Sequence, residues 1–359
     1  MAGFIRESWL NWLLLFIPVS WAVALAGLPE VILFVASALA VIPLANLIGR
    51  ATEQVAEYVG AGPGGLLNAT LGNAPELIIG ILALRAGLFV VVKASISGSI
   101  IGNVLLVLGL SMVAGGWGRE RQTFNRTRAG ANAAMLFLAV VALVMPAVFD
   151  LTVFGTIVYT KPPVEQLSIL VSAVLLATYV ANLIFSLRTH RHFFTTQPHA
   201  APEPRLSVSG ALLLLLVATV LVGVEGELLV GAIQATTAAL GLTQFFVGVI
   251  VVAIVGNAAE YFSAMLVAKR NNMELAMTIA TGAAAQIALF VAPVLVFASL
   301  IMGSPMSLVF NVFEIAGVTL SVLALGIVSL DGESTWFEGV QLAAVYAVLA
   351  IVFYFVPEG

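Results

Sequence analysis

Two glutamates lie within long apolar runs, each on a copy of one short motif: Gly72-Asn73-Ala74-Pro75-Glu76 and Gly256-Asn257-Ala258-Ala259-Glu260. In each copy Asn precedes Glu by three residues, which on a helix puts both side-chain oxygens on one face. Each motif is thus an oxygen patch suited to a hard cation. Ca²⁺ takes about 6 to 8 oxygens in a flexible shell, which two carboxylates, two carboxamides, backbone carbonyls and water can supply. Gly72 and Gly256 are expected to let the backbone bend, and Pro75, which has no N–H, interrupts the hydrogen-bond ladder and frees carbonyl oxygens. A carboxylate at the centre of a membrane helix costs ~2.5 to 3.5 kcal/mol on insertion scales, so two related ones demand a function or a partner. Glu76 and Glu260 are therefore the expected metal-binding and proton-binding residues, with Asn73 and Asn257 beside them.

The helices that follow the motifs add polar atoms: Ser95, Ser97, Ser99 and Asn103 after the first, Thr278, Thr281 and Gln286 after the second. Ser99 and Gln286 stand first among these as site residues. The small residues around them, Gly98, Gly102, Ala283, Ala284 and Ala285, allow close helix packing. Among the remaining acids, Glu53, Glu227 and Glu314 are candidates for a proton or ion pathway, the alternative being an interfacial or paired charge. With no cysteine in the chain, thiolate sites and disulfides are excluded, and no intramembrane histidine offers a soft-metal ligand.

The elements that position these residues must be membrane helices. Of 359 residues 61% are hydrophobic and 9% charged, against roughly 25% charged in a soluble domain. Apolar runs of the ~20 residues needed to cross a bilayer recur from end to end. They predict an all-α polytopic membrane protein with eleven transmembrane helices near 9–27, 30–59, 65–86, 91–115, 129–149, 165–187, 207–236, 243–268, 274–301, 307–329 and 336–356. The first run is longer than the ~7 to 15 residues of a signal-peptide core and is read as a retained helix.

Positive residues are retained in the cytoplasm, which tests the count. Threading eleven spans from a cytoplasmic N-terminus places Arg6, Arg50, Arg119, Arg121, Arg126, Arg128, Arg188, Arg191, Arg205, Lys269 and Arg270 inside, and Arg85, Lys93 and Lys161 outside. The C-terminus is then external, and the expected location is a prokaryotic inner membrane. The linker 188–206 holds His190, His192 and His199 with Pro198, Pro202 and Pro204 and reads as a solvated cytoplasmic loop. A net charge of −4 with scattered basic residues argues against nucleic acid as a partner. Inorganic cations and the lipid bilayer are the expected partners, and a homo-oligomer is compatible with the sequence.

The motif copies are 184 residues apart, and the same offset pairs Gly64 with Gly248 and Ser97-Gly98 with Thr281-Gly282. Five helices fall in 29–187 and five in 207–359, with the first helix, in 1–28, left over. An odd number of helices per repeat inverts the second copy, and inverted repeats place corresponding helices at the membrane midplane. Apolar surroundings disfavour an ionised carboxylate while a bound divalent cation favours it, so metal and protons compete for one site. An empty, doubly charged pair is costly in lipid, so the carrier is expected to cross loaded with cation or with protons, which is antiport by alternating access.

The stretches Gly65-Leu-Leu-Asn-Ala-Thr-Leu-Gly-Asn-Ala-Pro-Glu76, Gly98-Ser-Ile-Ile-Gly-Asn103 and Gly256-Asn-Ala-Ala-Glu260, with Pro305-Met, Phe313-Glu314 and Asp331-Gly, resemble the calcium/cation antiporter superfamily, in particular its Ca²⁺/H⁺ exchanger branch. The resemblance implies one helix plus two inverted five-helix repeats, Ca²⁺ export against protons without a cofactor, and central roles for Glu76 and Glu260. Three positions depart from that branch: Tyr261 stands where it usually has His, and Ala283 and Ala285 stand where it usually has Ser and Thr. A Na⁺-driven exchanger of the same superfamily is the nearest alternative. An intramembrane enzyme would need a His-Glu metal pair, paired aspartates or a Ser-Lys or Ser-His arrangement within the spans, and a primary pump a Walker-type loop; the sequence has neither, so no enzyme is expected.

Overall fold

The computed structural model describes residues 9–155, 162–189 and 205–357. Arg6, Lys161, Arg191 and the linker residues His190, His192, His199, Pro198, Pro202 and Pro204 lie outside the described residues, and so do the readings that rest on them. The described chain is helical apart from one antiparallel pair of two-residue strands, β1 (Gln122–Thr123) and β2 (Glu333–Ser334), with Gln122 opposite Ser334. In chain order the helices are α1 (Trp9–Leu25), α2 (Glu30–Val59), α3 (Ala61–Leu71), α4 (Ala74–Arg85), α5 (Phe89–Gly116), α6 (Arg126–Phe154), α7 (Pro162–Thr189), α8 (Val208–Gly231), α9 (Ile233–Leu240), α10 (Gln244–Gly256), α11 (Ala258–Lys269), α12 (Met273–Ile301), α13 (Val312–Val328) and α14 (Trp336–Tyr354).

Seven of these, α2, α5, α6, α7, α8, α12 and α14, are long and apolar enough to cross a membrane, or up to nine if each of two broken pairs is one span. Side chains such as Leu212, Leu213, Leu216 and Val220 on α8 and Leu138, Val141 and Met145 on α6 are exposed. Water would not tolerate such apolar stripes, and hydrocarbon would. The chain is an integral membrane protein.

It folds as two compact units, residues 1–86 with 178–241, and residues 87–177 with 242–359. Each unit draws on both halves of the sequence, so the linear boundaries at 28, 187 and 206 do not delimit them.

In the first unit α2 packs along α8 through Leu44, Leu47, Ile48, Ala51 and Val55 against Ala211, Leu214, Ala218 and Val222. At one end Gln54 accepts from the Arg205 and Leu206 amides at 2.8 and 3.2 Å, and the Tyr58 hydroxyl donates to the Leu206 carbonyl at 2.7 Å. α4 lies on α8 at Gly226, where a Cβ would stand 3.0 Å from Leu82.

In the second unit α5 is central: 83% of its apolar window is buried, against 22% for α14. It can be central because it crosses its neighbours backbone to backbone. A Cβ on Gly98 would collide with the Val249 carbonyl oxygen, and one on Gly248 would stand 2.8 Å from the Val91 carbonyl oxygen. Gly109 and Gly339 make the same kind of crossing with α14. The basic end of this unit is interlocked: Arg119 donates to the Lys269 carbonyl at 3.1 Å, Arg121 pairs with Glu333 at 2.9 Å, and Arg128 pairs with Glu274.

The third and eighth runs are broken within the motif, at Asn73 and at Asn257. The tenth span begins at Val312 rather than near 307, because the buried residues Met306 to Phe310 form an extended strap and Asn311 with Glu314 caps the helix reciprocally. Lys93, within the predicted span 91–115 and counted on its external side, lies inside α5 and is 6% exposed.

Candidate cation site

Both motifs build the same local structure. Asn73 has φ −95° and ψ 16°, Asn257 φ −96° and ψ 12°. This bridge region is sparsely populated and often found at functional positions. Each Asn starts the second half-helix, Asn257 directly after the first and Asn73 after an intervening Gly72, and each donates its carboxamide to the carbonyl four residues back, Asn73 to Ala69 at 3.2 Å and Asn257 to Ala253 at 2.9 Å. In the first unit the halves meet at 41°.

The break therefore sits on the asparagine. Gly72 keeps right-handed helical angles, and Pro75 occupies the second position of α4, where an N–H has no helical partner anyway. The second motif breaks alike with Ala259 in place of proline. Gly72 is required for another reason: a Cβ there would lie 2.6 Å from the Asn68 carbonyl oxygen.

Glu76 and Glu260 each fall in the first turn of the second half-helix, α4 and α11. Unpaired N–H groups and the positive end of the helix dipole favour negative charge there. In the first unit the Ala69 carbonyl also accepts from the Tyr179 hydroxyl at 2.8 Å, which fixes the end of α3 beside the motif.

The second unit shows how the site is wired. Asn257 donates to the Ser99 hydroxyl oxygen at 2.8 Å as well as to the Ala253 carbonyl, and accepts from Asn103 at 2.7 Å. A carbonyl can only accept, so the Ala253 contact fixes which end of the Asn257 carboxamide is nitrogen. Ser99 and Asn103 are four residues apart on α5 and so share one face. The first of these was expected in the site. Asn103 was expected only as a nearby polar group, and its spacing from Ser99 was the available signal.

The Oε2 atom of Glu260 is buried and accepts no hydrogen bond among the described residues, so it can take up a cation or a proton. Tyr261, where the resembled branch has His, is buried with its hydroxyl over Gly102, where a Cβ would stand 2.5 Å away.

Gln286 is half-buried where α12 changes from α- to π-helical winding, with the π segment at Ile287–Val291. α5 has a π segment at Gly102–Val107, so both helices that follow a motif loosen at nearly the same offset. Such bulges are frequent at functional sites. Thr278 and Thr281 instead return their hydroxyls to their own helix, to Glu274 and Met277.

The other acids divide. Glu53 and Glu227 are exposed. Glu225, passed over in favour of Glu227, is fully buried and accepts from Ser20 at 3.0 Å. Glu314 is buried with both oxygens engaged, by the Ser97 hydroxyl at 2.9 Å and the Asn311 amide at 2.7 Å. Asp150 on α6 is buried as well, and nothing in the sequence had singled it out. Among the described residues no group of three or more His, Cys, Asp or Glu converges on one point. The oxygens of this motif are thus carboxylate, carboxamide, hydroxyl and carbonyl in mixture, a hard-cation donor set.

Known proteins are similar to this chain along most of its length. The chain belongs to the sodium/calcium exchanger protein family, whose model matches residues 29–188 and 210–355. A Ca²⁺/H⁺ antiporter of Aphanothece halophytica is 44% identical over 361 residues, covering 96% of each chain. The Ca²⁺/H⁺ antiporter ChaA of Bacillus subtilis is 42% identical over 343 residues, covering 94% of this chain and 96% of the relative. The solved structure of native YfkE matches with a TM-score of 0.82 at 39% identity, over 95% of this chain and 97% of that one. The H⁺/Ca²⁺ exchanger CAX shares the fold with a TM-score of 0.73 at 16% identity, over 96% of this chain and 91% of that one.

Proposed function

We propose that this protein is a secondary active transporter that exchanges Ca²⁺, or a related divalent cation, for protons, with Glu76 and Glu260 as the shared binding groups. The observation that carries this reading is the twofold recurrence of one broken helix, with Asn at the break and Glu in the first turn beyond it. The antiporter relatives, similar along nearly their whole length, support Ca²⁺ and H⁺ as the exchanged ions.

A carboxylate neutralised by a divalent cation in one half-cycle and by protons in the other is never left charged and empty in lipid, and this couples the two fluxes. Asn73 and Asn257 supply neutral oxygen-bearing groups, Ser99 holds Asn257, and Gln286 stands at the loosened turn of α12. No catalytic residue or bound cofactor is part of this cycle; the ions are the substrates.

We read the topology as one N-terminal helix plus two inverted five-helix repeats. Seven long spans, two shorter apolar helices, Trp9–Leu25 and Val312–Val328, and the two helices broken at Asn73 and Asn257 add to eleven, which supports that reading. The interlocked arginines of the second unit form the cytoplasmic end, in keeping with positive-inside retention, with the N-terminus inside and the C-terminus outside a prokaryotic inner membrane.

The test is Ca²⁺ uptake into vesicles carrying the purified protein, driven separately by a proton gradient and by a Na⁺ gradient. Uptake that follows protons and disappears in Glu76→Gln and Glu260→Gln is the expected outcome. Uptake that follows Na⁺ instead would assign the Na⁺-driven alternative, and normal exchange by either variant would remove the glutamates from the site.

A further inference from the structure

The strap between α12 and α13 is a stretch of backbone that cannot satisfy itself. Residues 305–311 have no helical or strand hydrogen bonds, yet Met306 to Phe310 are buried. Side chains from four helices satisfy it instead. The Met306 amide donates to Ser299 of α12 at 2.8 Å and the Leu308 amide to Ser168 of α7 at 2.9 Å. Lys93 of α5 donates its ammonium to the Val309 carbonyl at 3.0 Å, and Glu314 of α13 accepts from the Asn311 amide. Irregular backbone in a membrane protein persists only where protein groups replace the missing bonds.

Lys93 and Glu314 are also within electrostatic reach of each other. Both are almost completely buried, and neither belongs to the motifs. Glu314 is further tied to α5 by Ser97, one turn beyond Lys93. Lys93 and Ser97 thus mark one face of α5. Ser99 and Asn103, which hold Asn257, begin two residues further on, about 200° round the helix.

We propose that Lys93 and Glu314 are positioning residues for the exchange reaction. Together they clamp the strap to one side of α5 and so fix the rotation of that helix, which presents Ser99 and Asn103 to the Asn257–Glu260 motif on the other side; Glu314 carries no proton in the cycle. The inference rests on the proposal that this motif is the exchange site. It separates Glu314 from Glu260, whose buried oxygen is open where those of Glu314 are occupied.

The experiment compares reconstituted full-length wild type, Glu314→Gln, Lys93→Gln with Glu314→Gln, and Ser97→Ala. For each, proton-driven Ca²⁺ uptake is measured across Ca²⁺ concentration, with protons counted per Ca²⁺. Glu314→Gln leaves a buried ammonium without its counter-charge and should raise the KM for Ca²⁺ by about tenfold while the proton count stays unchanged. Adding Lys93→Gln removes the orphaned charge and keeps a donor for Val309, which should bring KM back to within about threefold of wild type. Ser97→Ala, which breaks only the α5 tether, should raise KM with little change in kcat, and it carries the test if Glu314→Gln does not fold. A double variant as impaired as Glu314→Gln, or Ca²⁺ uptake without proton movement in Glu314→Gln, would make Glu314 a proton carrier and overturn the proposal. So would an unchanged KM in Ser97→Ala and Glu314→Gln alike. Wild type that exchanges nothing would take down the function proposed above, and this inference with it.

Discussion

Asn73 and Asn257, 184 positions apart, adopt nearly the same unusual backbone conformation and bond in the same way to the carbonyl four residues back. Asn257 also holds Ser99 and is held by Asn103, all three fully or almost fully buried. Replacing Asn257 with Ala would strand the Asn103 donor in a dry site. We expect a loss of about 2 kcal/mol of stability, with weakened Ca²⁺ binding. Thermal unfolding in detergent with and without Ca²⁺ would separate the two effects, since a purely structural loss shifts both curves equally.

Glycines related by the repeat should respond in opposite ways. Gly98 has the Val249 carbonyl where a Cβ would go, whereas a Cβ at Gly282 meets nothing within 4 Å. Gly98→Ala must push two backbones apart and should cost at least about 2 kcal/mol. Gly282→Ala, inside the helical part of α12, should be neutral or stabilising by up to ~1 kcal/mol. Melting temperatures of the two variants, purified side by side, decide the matter; equal losses would mean that the α5–α10 crossing is looser than described.

The membrane helices and the two copies of the motif were legible because their signals are local: apolar runs of spanning length, and one short pattern met twice. The cause of the break was not. Gly72 and Pro75 are conspicuous in sequence, but the conformation that turns the chain belongs to Asn73, as the proline-free second copy makes plain. The strap was misread because Met306, Leu308, Val309 and Phe310 form an apolar run, which hydropathy cannot tell from a helix when its polar partners include Ser168 and Lys93, far away in sequence. The Asn311–Glu314 spacing did hold a readable cue to a helix start. That Lys93 is buried there was not legible either, since its acceptor, the Val309 carbonyl, is 216 residues away. The division into two units is likewise a product of tertiary packing that no window along the chain reports.

The Tyr261 hydroxyl and Gly102 occupy one space, so they should behave as a matched pair. Gly102→Ala would put a Cβ 2.5 Å from that hydroxyl. We expect a cost of about 1 to 3 kcal/mol, and expect Tyr261→Phe, which removes the clashing oxygen, to recover most of it in the double variant. A double-mutant cycle on unfolding temperature measures the coupling, and strictly additive losses would show that the contact does not determine the choice of Tyr. Because Gly102 opens the π segment that carries Asn103, the same variants should also shift the Ca²⁺ dependence of transport.

Competition between metal and protons has a definite sign. With Glu76 and Glu260 as the proposed binding groups, a proton on either would remove negative charge that attracts the cation, so at equilibrium the apparent Ca²⁺ affinity should fall as pH falls. Linkage makes the converse equally necessary: Ca²⁺ binding to a partly protonated site must release protons. In detergent, without any gradient, titrating the purified protein with Ca²⁺ in weakly buffered solution should acidify the medium, and the number of protons released should change with starting pH. In Glu260→Gln one of the two carboxylates proposed to compete is gone, so proton release should shrink and the pH dependence of Ca²⁺ binding should flatten. If the variant instead released as many protons per Ca²⁺ as wild type, the exchangeable proton would have to reside elsewhere, and the buried carboxyls of Glu225 and Asp150 would be the next groups to test by the same titration.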